Sequence, residues 1–499
     1  MILARSFIFL LAIVYGLSSC TVGPNYVRPP TIVPVKYKEA KGKKIITANP
    51  FIKWKVATPK DLCRPQQWWL IFQDAKLNEL ENLLNGNNQT IINTYYNFMQ
   101  ARSLVDEAAA AYYPTLTGAL TFTRQKSGSS SSFISTSGGS TSTGVAATAG
   151  NGSSTLSSSH VWLLAASWEP DIWGLVRRTV EASRAGAQAS DALYAATRLS
   201  SQALLAQTYF ELRGMDALIA MLRDTVKNDR KALQITKNLY TAGVAGRADV
   251  VQAQSVLEAA EAQEINTHIL RGQYEHAIAV LIGLPPDAFS LSPVVYSFIP
   301  PDIPISVPTE LLERRPDIAQ AERLMVQANA QIGVAIAAYF PSLTLNGTGS
   351  TGAPTFGQLF SVPTFSWSLG AQFSETILDG GLRNATVCAA KSGYLASVAN
   401  YRQVVLAAFQ DVEDNLVSLR VLNQQAVVEK KAVASAKLAL RLVFNQYKAG
   451  TVSYTSVITA QINLLTAQQN AINVDYERMV SAVGVVRALG GGLVNPFRC

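Results

Sequence analysis

The sequence is poor in charged residues, in histidine and in cysteine. Charged residues make up 15% of the 499 positions and hydrophobic residues 48%, with three histidines and four cysteines. The sequence has no C-x-x-C or H-E-x-x-H motif, and Glu264 and His268 are better explained as a helix-surface pair than as metal ligands. We therefore expect no cofactor, no metal and no enzymatic activity. Cys63, Cys388 and Cys499 are interpreted as isolated thiols, with a disulfide of Cys63 left open.

Long apolar runs are also missing. Beyond residue 20, no stretch has the roughly 20 consecutive apolar residues of a transmembrane helix, so a chain that crosses a bilayer would do so with strands. The net charge of +8 is modest for this length, and no cluster of Lys and Arg is interleaved with aromatic residues. Nucleic acid is therefore not expected as a partner.

The amino terminus has the pattern of an exported protein. Residues 1–19 carry one early positive charge, an apolar run and small residues before a cysteine, which is typical of a signal peptide. Residues 17–20, Leu-Ser-Ser-Cys, resemble the bacterial lipobox, in which the cysteine becomes the acylated first residue. A plain signal peptide is the alternative. Thr21, rather than aspartate, follows Cys20, and by resemblance to sorted lipoproteins this favours the outer membrane.

The rest of the chain contains the same pattern twice, with an offset of 207 positions. The pairs are Tyr240 and Tyr447, Gly243 and Gly450, Asp249 and Ser456, Gln254 and Gln461, and Leu257 and Leu464. A register kept over so long a stretch indicates a duplicated structural unit. No proline interrupts residues 171–284 or 364–495, so each unit can hold two long helices joined at a glycine turn. A helix over 175–238 would be roughly 95 Å long and would need other helices beside it, as in a tube of helices.

Each unit also has two segments with strand alternation. After a helical pattern over 80–112, apolar and polar residues alternate from residue 115, and a Ser/Gly-rich segment over 127–159 is expected to be a loop. The apolar positions of the four strands are Leu116, Leu120 and Phe122; Trp162, Leu164 and Trp168; Leu343 and Leu345; and Phe365, Trp367, Leu369 and Phe373. Aromatic residues on such faces are typical of membrane β-barrels. Four strands cannot close a barrel, so two chains would give a filled barrel of eight strands and three an open one of twelve.

Several motifs carry a family resemblance. They are Cys20 with residues 21–29 (TVGPNYVRP), residues 68–74 (WWLIFQD), the run Arg314, Arg315, Pro316 and Asp317, and the two Tyr-x-x-Gly turns. Together they resemble the TolC-like outer membrane factor family, in its outer membrane efflux lipoprotein (NodT-type) branch. The resemblance implies a mixed α and β membrane protein, in which a trimeric β-barrel with four strands per chain continues into a long α-helical barrel. It also implies the exit duct of a tripartite pump that exports drugs or other small molecules across the outer membrane.

The same resemblance implies the partners and the site residues. The partners would be two further copies of the chain, a periplasmic adaptor, an inner membrane pump and outer membrane lipid. The adaptor would dock at the tips formed by Tyr240, Gly243, Tyr447 and Gly450, and the pore aperture would contain Asp249, Gln252, Ser456 and Thr459. Positions that are commonly acidic in the family are Ser456 and Thr459 here, which weakens the expected negative ring. Asp249 could instead cap its helix or face solvent, and the two glycines are expected to end helices in either case.

The predicted organisation follows the duplication. It is a signal peptide (1–19), a lipidated extended segment (20–75), a first repeat (76–284) with a hairpin at 115–169 and a helical pair at 171–284, a linker (285–310), a second repeat (311–490) with a hairpin at 342–374 and a helical pair at 380–490, and a tail (491–499). Two other functions share parts of this pattern: the duct of an ATPase-driven protein secretion system, and a non-conducting scaffold lipoprotein. The alternating strands argue against the scaffold, because a scaffold does not need them.

Overall fold

The computed structural model describes residues 21–30, 34, 37–39, 45–46, 67–127, 155–303, 305–306, 312–359 and 365–491. The predicted signal peptide, Cys20, Cys63, Cys499 and most of the Ser/Gly-rich segment lie outside these residues. The predictions made for them are therefore not addressed by the structure.

The described residues form seven helices of more than ten residues and one four-stranded sheet. In chain order the elements are α1 (Ala75–Asn87), α2 (Gln89–Ala110), β1 (Thr115–Ser127), β2 (Thr155–Trp168), α3 (Leu175–Thr241), α4 (Arg247–Leu281), α5 (Pro316–Ala337), β3 (Ser342–Ala353), β4 (Phe365–Ser374), α6 (Leu382–Lys448) and α7 (Tyr454–Ala488). Residues 45–46 also pair in parallel with residues 305–306. None of the described helices combines the length and the apolar character needed to span a membrane.

The duplication is visible in the element lengths. Corresponding helices have 22 residues in α2 and α5, 67 in α3 and α6, and 35 in α4 and α7. Each repeat therefore runs helix, hairpin, long helix, turn and returning helix. The offset of 207 predicts the long helical pairs, which start at Leu175 and Leu382. The predicted fold class, a mixed α and β protein with four strands and paired long helices, is confirmed.

Two details of the first repeat differ from the sequence-based expectation. The helical pattern over 80–112 is two helices, because the side chain of Asn88 caps α2 by accepting a hydrogen bond from the Ile91 amide (3.0 Å). Its amide nitrogen also donates to the carbonyl oxygen of Leu281 (2.7 Å), which ties the break to the end of α4. The loop predicted over 127–159 ends earlier in the structure, because residues 155–159 belong to β2 and pair with residues 123–127 of β1.

The chain divides into two compact units. The first contains the sheet and consists of the described residues within 1–25, 104–182 and 329–392; the second consists of those within 26–103, 183–328 and 393–499. The second unit has an aromatic core in which Trp68, Trp69, Tyr209, Phe210 and Tyr401 are at most 1% exposed. Asp74 starts α1 beside this core, because its carboxylate accepts from the amides of the next turn.

Candidate functional site

The two predicted tips are short turns between long helices. Gly243 and Gly450 both have φ of +72°, the left-handed conformation that glycine adopts without strain. The residue after each glycine closes the helix end with a backbone hydrogen bond, from Val244 to the oxygen of Leu239 (2.9 Å) and from Thr451 to that of Gln446 (3.0 Å). This six-to-one pattern is a Schellman cap. The glycines therefore end their helices, as expected for either interpretation of the turns.

The two tip tyrosines are equivalent in sequence and different in structure. Tyr240 is 46% exposed, whereas Tyr447 is 6% exposed and its ring packs edge-on against that of Tyr454 at 5.1 Å. A small buried cluster surrounds this pair, and we call it the tip core: Val226, Leu233, Ala253, Leu257, Ala260, Tyr447, Tyr454 and Val457. In this arrangement the Tyr447 ring is an interior contact, whereas the Tyr240 ring is exposed to solvent.

Asp249 lies in the first turn of α4, where the helix dipole favours a carboxylate. It is half-buried, and the hydroxyl of Tyr447 donates to its Oδ2 at 3.4 Å. Burial and then the charge of Asp249 raise the pKa of Tyr447, so this hydroxyl keeps its proton. Asp249 thus connects the two repeats at the tip and also has a helix-end position. The first-turn position agrees with the helix-end alternative, and the place of Asp249 in the aperture stays a prediction.

The other residues predicted for the aperture are on the surface of the chain. Gln252, Ser456 and Thr459 are exposed, and the Thr459 hydroxyl donates to the backbone oxygen of Thr455 at 3.0 Å. Among the residues that the structure describes, none buries these three side chains. Exposure of this kind is compatible with lining a pore between copies.

Sequence reasoning missed a polar contact near the tip, between Asp229 and Gln461 of the repeat pair. Asp229 in α3 is only 6% exposed, and Nε2 of Gln461 in α7 donates to its Oδ1 at 2.8 Å. A signal was available, because Val226, Asp229 and Leu233 follow the three-and-four spacing of a buried helix stripe. A carboxylate at a stripe position is unusual, since burying a charge is costly without compensation.

The sheet has one apolar and one polar face, as predicted. Its strand order is β1-β2-β3-β4, with antiparallel neighbours throughout. The register places the predicted apolar positions of the four strands on one face, for example Leu120 opposite Trp162 and, further along β2, Trp168 opposite Leu345. On the other face, hydroxyls pair across strands, as in Thr348 with Ser368 at 2.7 Å. Phe122, Trp162, Phe365, Trp367 and Phe373 of the apolar face are exposed, Trp367 to 69%. Trp168 is half-buried, and its Nε1 donates to the backbone oxygen of Tyr112 at 3.0 Å.

The first described residues are clamped beside the junction of β2 and α3. Arg178, 3% exposed, donates from Nε to the oxygen of Val22 (3.1 Å) and from Nη2 to the Gly23 oxygen (3.3 Å) and Asn25 Oδ1 (3.0 Å). A glycine on the body allows this close approach, because a Cβ at Gly174 would lie 2.9 Å from the Thr21 side chain. We call residues 21–25 with Arg178 the amino-terminal clamp.

The signature run lies at the start of α5. Its members are Arg314, Arg315, Pro316 and Asp317, with Pro316 as the first helical residue. Arg315 donates to Asp317 (2.7 Å), to Asp411 of α6 (3.2 Å) and to the backbone oxygen of Ala488 at the end of α7 (3.0 Å). One guanidinium therefore holds three helices together, and the role of Arg315 in this structure is a packing role.

Comparison with known proteins identifies the class. A family model described as "Outer membrane efflux protein" matches residues 80–284 and 307–491, and the chain belongs to this family. The chain is 26% identical over 492 residues to the probable efflux pump outer membrane protein TtgC of Pseudomonas putida, covering 98% of this chain and 96% of TtgC. It is 25% identical over 487 residues to the probable outer membrane lipoprotein SilC of Salmonella typhimurium, covering 97% and 98%.

A solved structure agrees with the sequence relatives. The outer-membrane channel OprN superposes with a TM-score of 0.80 at 27% identity, covering 95% of this chain and all of OprN. The chain is thus an outer membrane channel of an efflux system, from a family of channels rather than enzymes. The predicted family, fold class, efflux role and outer membrane location are confirmed. The scaffold alternative does not fit this family.

Proposed function

We propose that three copies of the chain form one lipid-anchored duct, through which an inner membrane pump and a periplasmic adaptor export drugs or other small molecules. The observation that carries the trimer is the sheet. Within the described residues, β1 and β4 each pair with one neighbour only, which leaves two open edges beside an apolar face. Lipid offers no water to such edges, so they must pair with other copies. Three copies give twelve strands and an open lumen, whereas two give a filled barrel.

The tips are the proposed docking surface for the adaptor. Tyr240 is exposed beside Gly243, and a side chain added at either Gly243 or Gly450 would meet open space, so both turns are accessible. Tyr447 supports the surface from inside the tip core. The name of one relative supports a pump as the partner, because TtgC is called a probable efflux pump outer membrane protein.

The aperture is proposed to lie at the same end. Asp249 would supply three carboxylates per trimer, with Gln252, Ser456 and Thr459 as neutral polar neighbours. Three carboxylates around a narrow opening concentrate a negative potential and attract cations. The ring is weaker than one with acidic residues in both repeats, because Ser456 and Thr459 are uncharged.

The lipid is proposed to be carried by Cys20. The amino-terminal clamp supports this, since it fixes Thr21 against the turn at Gly174, where the strands end and the helices begin. The residue before Thr21 is then held at one level of the protein. SilC, which covers nearly the whole chain, is itself called a lipoprotein.

The deciding experiment is photo-crosslinking in living cells from an unnatural amino acid at Ser453, an exposed residue of the second turn. We expect capture of a periplasmic adaptor, identified by mass spectrometry, and the pump that works with that adaptor defines the transport class. The matched control places the same amino acid at Thr355, an exposed residue between β3 and β4, which should capture no adaptor. Equal capture from both positions, or none from Ser453 while the trimer is present, would refute the docking assignment.

A further inference from the structure

We propose that Asp229 and Gln461 form a proton-sensitive latch that holds α3 against α7 near the channel tip. Only the role of the latch at the aperture rests on the proposed function. Its geometry belongs to a single chain and can be tested without a partner.

When Asp229 is ionised, the pair leaves one hydrogen-bonding atom without a partner. Nε2 of Gln461 donates to Oδ1 of Asp229 at 2.8 Å, while Oε1 of Gln461 is buried and has no hydrogen-bond partner among the described residues. An ionised carboxylate can only accept, so it leaves that amide oxygen unsatisfied. A protonated carboxyl can donate one hydrogen bond and accept another. The acid form can therefore satisfy both atoms of the Gln461 amide, which the ionised form cannot.

The surroundings extend the acid form to higher pH than is usual for an aspartate. Burial raises the pKa of Asp229 to about 6, and the hydrogen bond from Gln461 only partly opposes this effect. The ionisable groups facing this region are tyrosines and an acid: Tyr454 of α7, Tyr447 of α6 and Asp249 of α4. The pKa values of both tyrosines are raised, that of Tyr454 to about 12, so their hydroxyls stay neutral where Asp229 titrates.

The nearest basic residue on the same helix is engaged elsewhere. Arg230 is exposed and pairs with Glu261 of α4 at 2.7 Å. In the described part of the chain, no cation is among the groups that shift the Asp229 pKa. Ionisation of Asp229 therefore leaves a buried charge beside an unsatisfied oxygen, and both effects weaken the contact between α3 and α7.

The direction with pH follows from the raised pKa. A carboxyl whose pKa is higher in the packed state stabilises that state at low pH and loses this contribution as pH rises through the packed-state value. With 3.8 for the separated helices and about 6 for the packed ones, linkage gives a roughly tenfold rise in the opening equilibrium between pH 5 and pH 8. Acidification therefore stabilises the contact between α3 and α7. In acidic surroundings the adaptor must then supply more free energy to open the duct.

The test is hydrogen–deuterium exchange of the purified full-length protein in detergent at pH 5, 6, 7 and 8. After correction for the intrinsic exchange rate, protection of the segment around residues 226–236 should fall about tenfold from pH 5 to pH 8. Asp229→Asn, whose amide can both donate and accept, should keep the pH 5 protection throughout. Asp224→Asn, an exposed acid on the same helix, and Asp249→Asn should retain the wild-type pH dependence.

Two results would overturn the latch. One is a wild-type protection that does not change with pH, which decides the question without any variant. The other is an Asp229→Asn protein with the same pH dependence as the wild type, which would assign the titration to another group. Neither result depends on conduction or adaptor capture, so the latch and the proposed function can fail separately.

Discussion

Glu81 is a buried carboxyl whose removal should stabilise the protein. Its side chain is 0% exposed in α1, and both carboxyl oxygens are without a hydrogen-bond partner among the described residues. Burial raises the pKa of Glu81 well above its usual 4.5, and the positive charge of Arg198 opposes this only in part. The structure therefore favours a neutral, poorly satisfied carboxyl in the core, and Glu81→Met replaces it with an apolar side chain of similar length.

The expected gain comes from the unsatisfied group. A buried polar group without a partner costs about 1–3 kcal/mol, so Glu81→Met should raise the free energy of unfolding by about this amount. Because the pKa is raised in the folded state, the wild type loses stability as pH increases above 4.5. The advantage of Glu81→Met should therefore be larger at pH 8 than at pH 5.

Guanidinium unfolding in detergent measures this difference. Trp68 and Trp69 belong to the same buried cluster as Leu77 and Leu80 of α1, so tryptophan fluorescence reports on the region. Glu79→Met is the matched control, because Glu79 is exposed on the same helix and its replacement should change stability by no more than about 0.5 kcal/mol.

A loss of stability in Glu81→Met would indicate that Glu81 is ionised. If Glu81 were ionised and paired with Arg198, its replacement would leave a buried charge and cost about 3–5 kcal/mol. The wild type would then gain stability with rising pH. Either observation would refute the neutral-carboxyl interpretation.

Three further predictions concern the aperture, the amino terminus and the helix packing. Asp249→Ala should reduce block of the bilayer conductance by divalent cations, because it removes the carboxylate proposed for the opening; unchanged block would place Asp249 outside the pore. Arg178→Met should speed proteolysis of the amino-terminal segment, since three hydrogen bonds to residues 22–25 are lost, whereas Arg177→Met, whose guanidinium contacts Asp171 instead, should not. Gly214→Ala should destabilise by about 1–3 kcal/mol, because the new Cβ would lie 2.5 Å from the Tyr476 ring; Gly272→Ala, with open space at its Cβ, should be neutral or stabilising in the same thermal unfolding assay.

Most of the fold could be predicted from the sequence because two strong signals, strand alternation and the internal duplication, agree. Strand alternation assigned residues such as Leu120, Trp162 and Trp367 to one face, and the register of the sheet places them there. The duplication supplied the second signal, since the glycines at 243 and 450 mark the same turn twice. Local exceptions are harder to predict: at the break, the cap by Asn88 is local, but its contact with Leu281 joins residues nearly 200 positions apart.

The candidate site could be predicted only in part, because it too depends on contacts between residues that are distant in the sequence. Sequence treats Tyr240 and Tyr447 as equivalent, but Tyr447 is buried against Tyr454, and the position equivalent to Tyr454 in the first repeat is Arg247. The duplication predicts that the two repeats have the same backbone conformation, whereas the burial of a side chain depends on the residues that each repeat packs against. Asp229 was missed because its importance lies in Gln461, a residue on another helix in the other repeat.

The equal lengths of corresponding helices limit how this gene can change. Both turns must lie at the same end of their unit for Tyr447 to reach Asp249. Deleting seven residues from α3 and seven from α4 would withdraw the first turn by roughly 10 Å while the second stayed in place. Insertions and deletions should therefore survive only as matched sets that change both helices of both repeats, so that helix length is constrained jointly at four places in the coding sequence.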